Sequence, residues 1–167
     1  MSITRPLGLA WLSWQSRLHS VNRGLDFLAP VGDLLLRLWV TEVFFKSALT
    51  KIASFDTTLA LFADEFQVPL LSPVVAAWLG TGVELVFPIL LALGLAGRYS
   101  ACVLFLFNIV AAISYPDMSD AGLRDHQVWG LMLLVLTLRG PGSLSMDGLL
   151  MRLMRNGKGK ENAAPGA

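Results

Sequence analysis

The chain has 167 residues, 54% of them hydrophobic and only 15% charged, with a mean hydropathy of +0.62. Soluble domains run near a quarter charged, so the composition argues against a water-soluble globule. The net charge of +1, with no basic stripe carrying interleaved aromatics, leaves no nucleic-acid signature. Cys102 is the single cysteine, which excludes an internal disulfide, a CxxC redox pair and a thiolate cluster. With two histidines, His19 and His126, no protein-only metal site or two-histidine haem site is expected.

No short basic region leading into an apolar core and a cleavage site opens the chain, so no signal peptide is expected. Instead, Leu7, Trp11, Trp14, Leu18, Val21, Leu25 and Leu28 recur at alternating steps of four and three. Ser13, Gln15, Arg17, His19, Asn22, Arg23 and Asp26 fill the other face. This predicts an amphipathic helix over residues 1–29, lying in the headgroup layer or packed on a partner protein. The Ala29-Pro30 pair is expected to end it and to start the next helix.

Four apolar segments follow, at 31–50, 73–95, 99–115 and a fourth ending at 138. Each approaches the ~20 residues that cross ~30 Å of hydrocarbon. Counted only from His126, the fourth would be too short. Its helix is therefore expected to begin near Ser119 or Asp120, with Asp120 and Arg124 as an i,i+4 pair and His126 below the membrane surface. Gly140, Pro141 and Gly142 mark its end. The stretch "LSMDGLLMRLM" reads as a short surface helix, and residues 156–167 as a disordered tail.

Basic residues set the orientation. Arg5, Arg17, Arg23, Arg98, Arg139, Arg152, Arg155, Lys158 and Lys160 fall in one set of connections and ends. Only Lys51 and Arg124 fall in the other, beside several acids. Both termini are expected in the cytoplasm, with the chain multi-pass in a bacterial inner membrane. The predicted fold is all-α. A four-helix transmembrane bundle over 30–140 follows the interfacial helix, and a cytoplasmic tail covers 141–167.

The first crossing carries charges, each costly in hydrocarbon. Glu42 precedes Lys46 by four residues, the favourable order for an intrahelical ion pair. Arg37 is expected to find its partner on another helix or to reach towards the cytoplasmic headgroups. Glu84, near the middle of the second segment beside the small residues Ala76, Ala77, Gly80 and Thr81, is the expected one. The two are offset by roughly 5–6 Å if the segment midpoints align. Arg37, Lys51, Glu84, Asn108 and His126 thus form a candidate intramembrane polar cluster. It is either glue that sets helix register or a site for a proton, a quinone headgroup or another small polar ligand. Cys102 reads as a small buried hydrophobe, and Trp78 and Trp129 as packing, interfacial or stacking aromatics.

Taken in order, "LLLRL" with "FFKSALTKI", "VPLLSP" with "GVELVFPILLALGL", "YSACVLFLFNIVA", "DHQVWGLMLLVL" and "GPGSLSMD" resemble the DoxX family of small four-span bacterial membrane proteins, over roughly residues 31–150. The positions that match are Arg37, Lys51, Glu84 and His126. Ala48 stands where many relatives have glycine, and Glu42 lies outside the usual pattern. The resemblance implies an accessory or quinone-interacting subunit of a membrane redox or stress-response pathway, at most an oxidoreductase subunit working with a partner. With no resident cofactor evident, a bound quinone would serve as one. The alternative is a non-enzymatic small-ligand transporter or membrane scaffold, for example one serving metal-binding peptide maturation. The expected partners are the bilayer and a redox or peptide-maturation enzyme, with homo-oligomerisation left open.

Overall fold

A computed structural model describes the backbone of residues 5–140 and 142–161, and side-chain surroundings for residues 19, 22–140 and 142–155. These residues form six helices and, among them, no strand: α1 Arg5–Ala53, α2 Phe55–Asp64, α3 Pro73–Leu93, α4 Gly97–Ser114, α5 Asp120–Arg139 and α6 Met146–Glu161.

Two of the expected helices start and stop on recognisable signals. Pro73 occupies the first turn of α3, where its missing N–H costs nothing, and Gly94 ends that helix in the left-handed region at φ 68°. The α5 helix begins at Asp120, where the Ser119 hydroxyl accepts from the Gly122 N–H at 3.1 Å, and closes on Gly140. His126 consequently lies inside a helix. The expected Asp120–Arg124 contact is not among the ion pairs of the described residues.

Two expectations are corrected. The chain does not break at Ala29-Pro30; α1 runs through Pro30 for 49 residues. Proline there removes the bond to the carbonyl four residues back, at Asp26. That residue lies on an exposed stretch, where solvent or headgroups can replace the lost donor. Of the predicted apolar face, Leu25 and Leu28 are exposed, as is His19 on the polar side. Leu7, Trp11, Trp14, Leu18 and Val21 have side chains outside the described residues. At the other end, the amphipathic run after Ser145 carries α6 as far as Glu161, where disorder was expected. Residues 162–167 lie outside the description.

The C-terminal part of α1 packs on α3 and α5, α3 on α4, and α4 on α5, while α2 lies across α1 and α3. The core of this ring holds Val40, Phe44, Leu91, Ala101, Leu104, Leu133 and Leu136, and a smaller cluster joins Phe62 to Ala76 and Ala77. Large apolar side chains also face outward on every helix of the ring, among them Leu35, Trp39, Leu79, Val86, Leu106 and Leu131. A soluble monomer rarely leaves so much contiguous apolar surface open. Among the described residues two helices, α3 and α4, are long and apolar enough on their own to cross a membrane. In α1, Asp33, Arg37, Glu42 and Lys46 interrupt the apolar run, and in α5, Arg124 and Asp125 do so.

Candidate functional site

The antiparallel register of α1 and α3 decides which charges meet. The Thr41 hydroxyl donates to the Pro88 carbonyl at 3.2 Å, and the Ser47 hydroxyl to Glu84 Oε1 at 3.2 Å. Carried back along α1, this register sets Arg37 beside the C-terminal end of α3. Ten residues separate Arg37 from Ser47, about 15 Å of helix. The expected Arg37–Glu84 pair is therefore not formed. Glu84 is paired with the Lys51 ammonium through Oε2. Both carboxylate oxygens have a donor, and the pair is nearly enclosed, with side chains 16% and 6% exposed. Enclosed charges of this kind persist only when paired and hydrogen-bonded.

Arg37 has a different environment. Its side chain is buried and donates from Nη2 to the Leu144 carbonyl at 2.8 Å, with Asp33 one turn earlier on the same helix. Gly94 makes the room: a Cβ built there would lie 2.7 Å from Arg37 Nη1 and 2.4 Å from Ser145 Cβ. The same segment also reaches α4. The Asp147 carboxylate accepts from the Ala96 and Gly97 N–H groups at 3.1 and 3.0 Å, and the Asp147 N–H donates to the Gly94 carbonyl at 3.1 Å. It thus caps α4 and holds Ala96 in a left-handed conformation at φ 47°, unusual for a residue with a side chain. Residues 142–147 form a clasp: Arg37 grips it from α1 at the Leu144 carbonyl and Asp147 ties it to α4.

Asn108 and His126 form the second pair of the predicted cluster. Asn108 Nδ2 donates to the His126 carbonyl, and Asn108 Oδ1 faces His126 Nδ1, both at 2.8 Å. Gly130, one turn after His126, permits this approach, since a Cβ there would lie 3.2 Å from Asn108 Nδ2. Trp129 meets the His126 ring edge-on at 5.1 Å and Phe44 at 6.2 Å.

Lys51, Glu84 and His126 line one cavity of about 720 Å³ between α1, α2, α3, α4 and α5. Its wall is largely apolar and aromatic, with Phe44, Phe62, Phe66, Phe107 and Trp129 contributing. The Thr58 hydroxyl donates to the Lys51 carbonyl at 3.0 Å, fixing α2 across this end, and the Gln67 N–H donates to the Ser114 carbonyl at 2.7 Å. Phe66 stacks on Phe62 at 4.8 Å and on Tyr115 at 5.1 Å. A hydrogen bond to Glu65, and then that carboxylate's charge, hold the Tyr115 phenol above its ordinary pKa. The cavity combines a wide apolar wall with a few convergent polar groups, the usual make-up of a small-molecule site.

Of the five predicted cluster residues, then, four gather at this end in two pairs and Arg37 stands apart. The Glu42–Lys46 pair forms at 2.6 Å on an exposed face. Cys102 is half-buried rather than enclosed, and Trp78 is exposed and packs on Phe55 at 4.3 Å. Sequence reasoning missed Ser47 and Ser114. Ser47 was findable, since it precedes Lys51 by one helical turn on the same face. Among the described residues, no group of three or more His, Cys, Asp or Glu is placed to hold a metal.

Comparison with known proteins adds the decisive observation. The DoxX family model matches residues 32–116. The chain belongs to the DoxX family. An uncharacterized protein of Haemophilus influenzae is 33% identical over 130 residues, which cover 74% of this chain and 85% of that relative. No solved structure matches. The DoxX match takes in Arg37, Lys51, Glu84 and Asn108 and stops short of α5. His126 and the clasp thus lie beyond it, whereas the motifs suggested a resemblance out to residue 150. Family membership points to a membrane protein, in keeping with the apolar outer faces of α3 and α4.

Proposed function

We propose that this DoxX protein is a multi-pass protein of the bacterial inner membrane. The part of α1 after Pro30, with α3, α4 and α5, crosses the bilayer, and both termini are cytoplasmic. The charges that interrupt α1 support this reading, because they are not left bare. Glu42 neutralises Lys46, and Arg37 is buried against Leu144. The basic residues at Arg98, Arg139, Arg152 and Arg155 cluster at the clasp end, as the positive-inside tendency favours.

Within that frame the cavity receives the headgroup of a quinone, and the protein acts as an accessory subunit of a membrane redox or stress-response pathway. The observation that carries this is the cavity itself: about 720 Å³, aromatic-walled, with Lys51–Glu84 and His126 as its polar points. A neutral ring bearing oxygens fits such a mixture better than a fully charged solute does. The paired charges leave no net field to attract an ion, and the wall would strip its water. Any electron transfer needs a partner enzyme, which delivers electrons to, or takes them from, the bound quinone.

The mutual satisfaction of Lys51 and Glu84 favours a second reading, a scaffold or small-ligand transporter whose polar groups only set helix register. Lipid extracts of the purified protein separate the two. On the quinone reading, wild type retains ubiquinone or menaquinone, and Glu84→Gln lowers retention at least fivefold at equal recovery of folded protein. An extract free of quinone, from a protein that also binds no quinone analogue, leaves the scaffold or transporter. Capture from native membranes then names the pathway, through co-purification of either a dehydrogenase or oxidase or a peptide-maturation enzyme.

A further inference from the structure

Resting on that quinone reading, we infer that His126 makes the cavity selective for the reduced, dihydroxy form of the ring over the dione. Heavy-atom geometry fixes the tautomer. Asn108 Nδ2 lies 2.8 Å from the His126 carbonyl oxygen. A carbonyl can only accept, so the nitrogen of the amide is on that side and its oxygen faces the ring. That oxygen lies 2.8 Å from Nδ1 and can only accept as well, so Nδ1 carries the proton. In the neutral ring, Nε2 is then a bare lone pair.

The placement of the ring gives that lone pair a task. His126 lines the cavity, whereas Asn108 stands behind it, outside the wall. Because the two ring nitrogens point in roughly opposite directions, engaging Nδ1 with Asn108 turns the Nε2 edge toward the open volume. Trp129 packs edge-on against the ring, and the space at Gly130 keeps the Asn108 amide close. An acceptor in an apolar wall is satisfied by a ligand hydroxyl. A ligand carbonyl in the same place would set lone pair against lone pair, and sites built around a buried polar group reject the mismatched form strongly.

The other polar points do not reverse this preference. Lys51 is held by Glu84 through one N–H, and its remaining N–H groups can donate to a hydroxyl oxygen as well as to a carbonyl, so it does not discriminate between the forms. Ser114 is among the residues that line the same cavity and is 1% exposed, and its buried hydroxyl has no hydrogen-bond partner among the described residues. It can donate or accept, so it serves either form.

Equilibrium dialysis of the full chain in detergent micelles against three ligands tests the inference: ubiquinol-1 kept reduced under argon, ubiquinone-1, and the dimethyl ether of ubiquinol-1. The expected result is ubiquinol-1 at least tenfold tighter than the dione, with the ether, which has no hydroxyl proton, as weak as the dione. Folded Asn108→Leu, freed of the tautomer constraint, should show a ratio below threefold. Should that variant not fold, the ether comparison on wild type decides alone. Equal affinities for ubiquinol-1 and ubiquinone-1, an ether as tight as ubiquinol-1, or an unchanged ratio in folded Asn108→Leu overturns the selectivity and leaves a quinone site. Binding of none of the three removes the quinone reading itself.

Discussion

At the Gly94 end of the ring, side chains are bound to backbone: Arg37 to the Leu144 carbonyl, Asp147 to the Ala96 and Gly97 amides. At the Lys51 end, Thr58 and Asn108 also donate to backbone carbonyls, but the polar groups on the cavity are bound to side chains, Lys51 and Ser47 to Glu84 and His126 to Asn108, around open volume. Both ends bury polar groups in a largely apolar molecule, yet their tolerance differs. A backbone partner cannot move away or be exchanged, so the clasp end has one arrangement and no spare room. Side-chain pairs beside a cavity keep unused donors and acceptors that can answer to a ligand. The first kind of contact suits architecture, the second recognition.

The largest effect expected from breaking this contrast is at Gly94. Gly94→Ala places a methyl group 2.4 Å from Ser145 Cβ and 2.7 Å from Arg37 Nη1, at a positive φ. Overpacking plus left-handed strain should cost about 4 kcal/mol, seen as a collapse of the melting temperature in detergent. A wild-type melting curve would show that the clasp yields easily and is not rigid architecture. Next comes Glu84→Gln, which leaves the Lys51 ammonium enclosed without its counter-charge. A loss of about 3 kcal/mol is expected, with Glu84→Gln/Lys51→Met regaining most of it while quinone retention stays low. If the double variant regains both, Glu84 serves register alone. Asp147→Asn should cost the least, about 1 kcal/mol, by weakening a charged helix cap. Hydrogen exchange should quicken at the Ala96 and Gly97 amides and stay unchanged around His126, with quinone retention intact.

The sequence made some of this legible and hid the rest for identifiable reasons. The extents of α3, α4 and α5 follow from apolar length and from local punctuation at Pro73, Gly94, Ser119 and Gly140. The Glu42–Lys46 pair follows from spacing within one helix. Each is a property of a single segment. The Arg37 partner is a property of two, and neither helix records how far it slides along the other. Aligning the segment midpoints put Arg37 against Glu84, whereas Thr41–Pro88 and Ser47–Glu84 set a different register. The α2 helix was passed over because its ten residues, about 15 Å of helix, are too few for a span. Yet it supplies Phe62 to the cavity wall and covers the end of α1. The family match marks the residues around Lys51 and Glu84 and stops before His126, so the two sides of the cavity are not equally visible in sequence.

The clasp bears on how the topology of this protein can be measured. Reporter fusions are commonly joined just after the last crossing, and on the proposed topology that junction would fall at Arg139. Such a hybrid deletes Leu144 and Asp147. It takes from Arg37 its carbonyl contact and from α4 its charged cap before any signal is read. A fusion placed beyond Glu161 keeps both, and is the one whose fluorescence or phosphatase activity reports on the intact protein.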